Sequence, residues 1–489
     1  VPTLRPGLLA AAIGLVVCTH AADVRADGAF PDSLQILLPE DRGQELVLST
    51  TFGLILSEDA GSTWTWTCEQ ASSSGASLYS VSAPSADRIF GVAPEGLAHS
   101  DDGGCTWTLA DGLPAGNLVV DAFPDPTDAQ RIWTIVSAPG SATVPDQVFL
   151  SQDGGATLGT SVYQAPIGAL LTGVESARTD PQTVYAALNV PIAAADYPVQ
   201  HPMLARSSDG GRTWDTLDVE AGLGPNPFRI MAVDPEDAQR LYLRVFDVLA
   251  DAVAVTDDGG ATVRMPITLD SGGAITAFAR LASGTVLVAG LAGSTPVGFR
   301  STDGGMTFAD WPGVPFLRAL AERGGRLYGA TDNAYQSDWA LGTSADEGAT
   351  FQPMMAYQQV KGVRACAEAS CRDVCQSEVA ARVWTSSVCL SDIDGGTASE
   401  GGVSFDAASG DGFVADATDG DGGGHQEGAA CGCGAAGGTN EGGRALVIPF
   451  TVVMLTLMRR RGRGSSLRNR PVRTFFAWAG AARERIKDV

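Results

Sequence analysis

Seven times the chain returns to one eight-residue phrase: SEDAGSTW at Ser57, SDDGGCTW at Ser100, SQDGGATL at Ser151, SSDGGRTW at Ser207, TDDGGATV at Thr256, STDGGMTF at Ser301 and SADEGATF at Ser344. The starts lie 43, 51, 56, 49, 45 and 43 residues apart. A repeat of that length is one supersecondary unit that must stack on its neighbours to bury its apolar surface. Each octet follows a short apolar run, such as VFL at Val148 or VAV at Val253. Two more runs joined by a turn stand upstream, as in IMAVDPEDAQRLYLRV from Ile230. β-Branched and aromatic residues bounded by Pro, Asp and Gly are strand and turn signals, so each unit reads as four strands. Four-stranded units stacked radially make a β-propeller. A linear solenoid is the alternative, disfavoured because its coils are shorter than these units. The expected fold is all-β: a single propeller of seven four-stranded blades, with room in the longer spacings for one degenerate blade.

The octet itself reads as a hairpin between a unit's third and fourth strands. Its Asp can accept hydrogen bonds from backbone N–H groups further along the turn. The glycines supply positive φ where a Cβ would clash, and the last residue, Trp, Phe, Val or Leu, can bury against the sheet. The pattern S-x-D-x-G-x-T-W resembles the Asp-box, or BNR, repeats of sialidases, sortilin-type receptor propellers, xyloglucan-cleaving enzymes and photosystem II assembly-factor-like propellers. The resemblance covers Ser33 to Met355. In those families the box lies at the blade periphery, away from the ligand site. It implies that Asp59, Asp102, Asp153, Asp209, Asp258, Asp303 and Asp346 form turns and do not catalyse.

Function has to be argued from a site and not from the scaffold. The net charge of −24 is uneven: after Ala445 there are ten Lys/Arg and two Asp/Glu, so the tail carries +8 and the rest −32. So acidic a body repels nucleic acid. No H-E-x-x-H, phosphate loop or G-x-S-x-G is present, and beyond the first 26 residues only His99, His201 and His425 occur. A sialidase would carry an F/Y-R-I-P motif before its first box, whereas here FRIM stands at Phe228–Met231, after the fourth octet and without the Pro. A xyloglucanase-like enzyme needs two opposed carboxylates. Asp121, Asp180, Asp234 and Glu175 are candidates, but most sit in turn-like contexts, and such enzymes resemble two propellers in tandem. No catalytic residue, cofactor or metal ligand is therefore expected. The function expected is a non-enzymatic, surface-displayed propeller binding a protein or glycan partner. The alternative is a secreted sialidase- or xyloglucanase-like glycoside hydrolase, which arginines clustered at the central opening or a facing carboxylate pair would favour.

The termini carry address signals. Residues 1–26, with Arg5, an apolar run from Gly7 to Val17 and the ending VRA, read as a secretory signal peptide. Cleavage is expected after Ala26, with Ala21 as the alternative. LVVC at Leu15–Cys18 is similar to a lipoprotein box but has Val17 where a small residue is needed. Export makes paired cysteines the expectation. In the Cys-rich module, 358–391, which loosely resembles those after sortilin-type propellers, Cys366, Cys371, Cys375 and Cys389 suggest two disulfides. Cys68 and Cys105 suggest a bridge between neighbouring repeats. Zinc fits poorly, since these cysteines lack close CxxC pairs and have no His among them. The propeller itself spans 27–357. A Gly/Asp-rich tether occupies 392–430; its DIDGG and DGDGGG stretches do not complete a calcium loop. Within 431–464, Cys431 and Cys433 precede ALVIPFTVVMLTLM and an Arg cluster. The apolar run gives about 21 Å of helix against a ~30 Å membrane core, so a transient span is expected, with the Arg cluster on the cytoplasmic side. Cys-Gly-Cys, short apolar helix and Arg cluster resemble the myxobacterial C-terminal sorting tails. The resemblance implies processing at Cys431 and Cys433 by export machinery and display on the cell surface or outer envelope of a Gram-negative bacterium. Pro449 and the basic stretch 465–489 depart from it.

Overall fold

The structure, a computed structural model, describes residues 31–389 apart from 41, 72–77, 83–87, 94, 140, 142, 192–199, 247–249, 271 and 334–336. The expected signal peptide, the tether, Cys431, Cys433 and the basic tail lie outside the described residues. Among the described residues no helix is long and apolar enough to cross a membrane.

Seven antiparallel sheets follow one another as four-stranded meanders, and together they form a seven-bladed propeller. Blade 1 spans residues 33–67, blade 2 78–109, blade 3 118–164, blade 4 170–218, blade 5 228–268, blade 6 274–310 and blade 7 319–355. Among the described residues the longer spacings hold no degenerate eighth blade. At six of the seven seams the first strands of neighbouring blades lie against one another, that of blade 1 meeting that of blade 7 to close the ring, and between blades 5 and 6 the third strand of blade 5 meets the first strand of blade 6. Second and third strands are covered on both faces by adjacent blades. LVLST at Leu46–Thr50, GLILS at Gly53–Ser57 and IWTIVS at Ile132–Ser137 are therefore almost wholly buried and nearly continuously apolar. Outer strands such as DTLD at Asp215–Asp218 face solvent and are polar. Each seam between blades has its own apolar cluster: Trp133, Val148 and Leu150 of blade 3 pack on Val174, Val184 and Ala186 of blade 4, and the other six seams follow suit.

All seven octets close the turn between third and fourth strand with one set of bonds. The first hydroxyl donates to the Asp carboxylate at 2.6–2.9 Å and accepts the N–H of the second glycine position, the fifth residue of the octet. The Thr hydroxyl donates to the other carboxylate oxygen at 2.6–2.8 Å. These donors favour the ionised form, and the Thr213 and Thr307 hydroxyls hold Asp209 and Asp303 at about 2.

The octet also locks blade to blade. A Cβ on Gly155 would stand 2.6 Å from the Phe90 ring of blade 2, one on Gly211 3.0 Å from Trp133 of blade 3, and one on Gly260 2.6 Å from Leu204 of blade 4. The Tyr242 hydroxyl of blade 5, which donates to Asp234, lies 3.2 Å from the Gly304 carbonyl of blade 6. The residue before that second glycine is left-handed too. It is Gly in five octets but Ala60 (φ 58°) in the first and Glu347 (φ 53°) in the last. Glu347 is held by Arg300 and Thr285, whereas Ala60 is exposed and its side chain gains nothing there. Ala60→Gly is therefore expected to stabilise the fold by about 0.5–1 kcal/mol, read as a higher urea midpoint at unchanged m-value.

After blade 7 the chain turns back along blade 1. Gly362–Val363 pairs in parallel with the outer strand Thr65–Thr67, giving that sheet a fifth strand. A helix, Glu368–Ala380, follows. The cysteines pair differently from the sequence expectation: Cys68 with Cys371, Cys105 with Cys366, and Cys375 with Cys389. The parallel strand is the reason. It carries Cys366 and Cys371 to the edges of blades 1 and 2, within reach of Cys105 and Cys68, which leaves Cys375 and Cys389 for each other. The segment shares the blade 1–blade 7 core, with Trp384 edge-on to Trp66 and Phe52 at 4.9 and 5.6 Å. The Tyr357 hydroxyl meets Ser33 Oγ at 2.8 Å.

Candidate functional site

A first strand has a sheet partner on one side only, so its outward N–H groups need acceptors from elsewhere. The preceding blade supplies them. Gln35 of blade 1 accepts the Tyr79 N–H of blade 2 (2.8 Å) and Asp121 of blade 3 accepts Val174 N–H of blade 4 (3.1 Å). Glu175 of blade 4 accepts Val233 N–H of blade 5 (2.9 Å) and Asp251 of blade 5 accepts Ile275 N–H of blade 6 (2.9 Å). In blades 1, 3, 4, 5 and 6 the pairing of the first strand slips by one residue, leaving Leu34, Val120, Thr172, Met231 and Thr276 as bulges. Bulges re-aim the side chains around them, and here they flank the polar groups at the centre of the ring.

The first strands of blades 1 to 6 enclose a cavity of about 450 Å³. Its lining joins Gln35, Asp121, Glu175 and Arg229 to the rings of Phe123 and Phe278, while Arg244 and Phe246 project from the second strand of blade 5. Arg244 is clamped by Asp251 at 2.6 and 3.0 Å. Arg229 is 3.5 Å from Asp121, with 44% of its side chain exposed, so its guanidinium remains open to the cavity. Burial raises the Asp121 carboxyl, opposed by Arg229. Burial likewise pushes Glu175 up to about 7, against the Val233 N–H and with help from the Asp121 charge.

Glu175 therefore keeps its proton to about pH 7 when folded but loses it near 4.5 when unfolded. Its contribution to stability is complete below pH 4.5 and is lost as the pH rises through 7. Glu175→Gln, which keeps an acceptor for Val233, is expected to leave stability near pH 4.5 unchanged and to raise it at pH 8 by on the order of 3 kcal/mol. Urea midpoints at the two pH values check this.

Of the carboxylates singled out in the sequence, Asp121 and Glu175 reach the cavity and Asp180 and Asp234 do not. Asp180 closes a turn, accepting the Thr183 hydroxyl at 2.7 Å. Asp234 is fully buried and links Tyr242 of its own blade (2.9 Å) to Arg280 of blade 6 (3.1 Å). None of the seven octet aspartates lines the cavity. The FRIM string supplies Arg229 after all, while His99 is buried within blade 2 and His201 lies on the third strand of blade 4. The sequence reading missed Gln35, Arg244 and Phe246. A polar residue interrupting an apolar first strand, as Asp121 and Glu175 do, was the signal available; bulges have no residue signature that would have given the rest.

No family model matches the chain, and no curated protein matches it. Solved structures to which the chain is similar include the GH74 enzyme of Niastella koreensis, 15% identical, covering 66% of this chain and 65% of that one with a TM-score of 0.36. The GH74 xyloglucanase of Xanthomonas campestris is 15% identical over 66% of this chain and 58% of its own, TM-score 0.37. YCF48 from Cyanidioschyzon merolae is 14% identical over 64% of this chain and 94% of its own, TM-score 0.42. This chain thus spans less than two thirds of either GH74 protein.

Proposed function

We propose that this chain is an exported, surface-displayed binding propeller that receives a protein or glycan partner at the central cavity and does not hydrolyse it. The octets are, on this reading, Asp-box repeats whose aspartates serve folding, and the Cys-Gly-Cys tail is a sorting signal. One observation carries the binding reading. The two cavity carboxylates stand on the neighbouring first strands of blades 3 and 4, each holding the next blade's backbone N–H. A glycosidase pair must flank the scissile bond from two sides, whereas Asp121 and Glu175 project from one side of the ring and act as blade-to-blade acceptors. The open Arg229 guanidinium shares the cavity lining with Phe278 and with Phe246, whose ring lies under the Arg244 guanidinium at 4.6 Å, and together they offer what a polar ligand with an apolar face needs: a forked donor and aromatic surface.

The test is binding of the full chain to glycan and peptide arrays, with Arg229→Ala and Phe246→Ala beside the wild type. Ligands found on the wild type should bind each variant at least about tenfold more weakly, while melting midpoints stay close. Binding indifferent to both substitutions would place the partner elsewhere and overturn this reading.

A further inference from the structure

Away from the cavity, three ligand-type side chains converge on blade 4. His201 is the second residue of the third strand, Gln200–Ser207; Asp218 ends the outer strand, Asp215–Asp218; Glu220 begins the short helix Glu220–Leu223. His201 Nδ1 contacts Glu220 Oε2, and His201 Nε2 lies 3.6 Å from Asp218 Oδ2. One ligand atom from each of the three lies within 4.8 Å of the others.

The backbone beneath is fixed. Met203 pairs with Asp218, the Val219 N–H donates to the Pro202 carbonyl at 3.3 Å, and Leu223 is fully buried in the seam to blade 5. The Glu220 N–H occupies Asp218 Oδ1 at 2.9 Å, which leaves Oδ2 turned toward the imidazole. Among the described residues no Arg or Lys is paired with either carboxylate. Two negative groups therefore share one imidazole, an arrangement that a divalent cation would neutralise.

We infer that His201, Asp218 and Glu220 form a binding site for a zinc-type divalent cation. One imidazole nitrogen and two carboxylate oxygens are a donor set that suits such an ion, with a fourth, open position for water. Bonds of ~2.1 Å in tetrahedral geometry require ligand atoms ~3.4 Å apart. The side chains are 31%, 60% and 38% exposed, so they can close that gap by rotation without moving the strands. The bound ion would pin the short helix to the start of the third strand.

The test is titration of chelator-treated full chain with zinc chloride, in a Cys431→Ser/Cys433→Ser background that removes tail thiols able to bind zinc themselves. Binding is followed by calorimetry and by the melting midpoint, which a ligand specific for the folded state raises. His201→Ala, and separately the double variant Asp218→Asn/Glu220→Gln, should weaken zinc binding at least about tenfold and abolish the zinc-induced rise, with metal-free melting unchanged. A zinc isotherm and melting rise that are the same in wild type and both variants, or no zinc uptake by the folded wild type, would overturn the assignment.

Discussion

Replacing Cys68, Cys371, Cys105 and Cys366 together by serine is expected to lower the stability of the propeller by roughly 5 kcal/mol or more, the largest single effect the structure implies. Six seams of the ring join blades that are consecutive in the chain. The seam between blades 7 and 1 has no such connection, and it is held by packing of the first strands, the Tyr357–Ser33 contact and the returning segment with its disulfides. The two bonds span 303 and 261 residues, so each limits the unfolded chain severely. Removing Cys68–Cys371 alone leaves Cys105–Cys366 to close nearly the same loop and should cost less, about 3–4 kcal/mol. Urea unfolding under non-reducing conditions measures the loss. Hydrogen exchange locates it: protection should fall first in Ser33–Leu37, Leu46–Thr50 and Arg326–Ala330, the strands along that seam. Uniform loss of protection around the ring would contradict the clasp.

The second large effect belongs to the octets. Gly155→Ala imposes a Cβ on a residue at φ 83° and drives it to 2.6 Å from Phe90, so it should destabilise by about 2–4 kcal/mol. Part of that cost is steric and comes from another blade. In combination with Phe90→Leu, which makes room, the two substitutions should therefore cost at least about 0.5 kcal/mol less than their sum. Strict additivity would mean that the glycine serves its own turn only and that the octet does not interlock blades.

Repetition made the scaffold legible in the sequence. Seven octets with apolar runs before them specify seven meanders, because both the turn chemistry and the burial of second and third strands leave residue signatures. The seam-closing segment was legible only as a cluster of cysteines. Nothing in Cys366 to Cys389 tells that Gly362–Val363 lies alongside Thr65–Thr67, a contact across some 300 residues of chain, and without it the local pairing looked more natural. The cavity was half legible. Asp121 and Glu175 stood out as charges in apolar runs, whereas Asp234, equally conspicuous, turned out to be an internal link between blades 5 and 6. Arg229 was passed over because its string departs from the sialidase motif, yet first-strand geometry alone turns it toward the axis. His201, Asp218 and Glu220 lie 17 and 2 residues apart, and only the pairing of third and outer strands brings them together.

Hydrolysis tests the central claim most directly: that the cavity binds without turnover because its carboxylates are blade-to-blade acceptors. The full chain is incubated with fluorogenic sialosides and β-glucosides beside Glu175→Gln and Asp121→Asn, at pH values on either side of 7. No release above the uncatalysed rate is expected for any of the three proteins. Turnover by the wild type that either substitution abolishes, in a variant that still melts cooperatively, would contradict it and make the propeller a glycoside hydrolase.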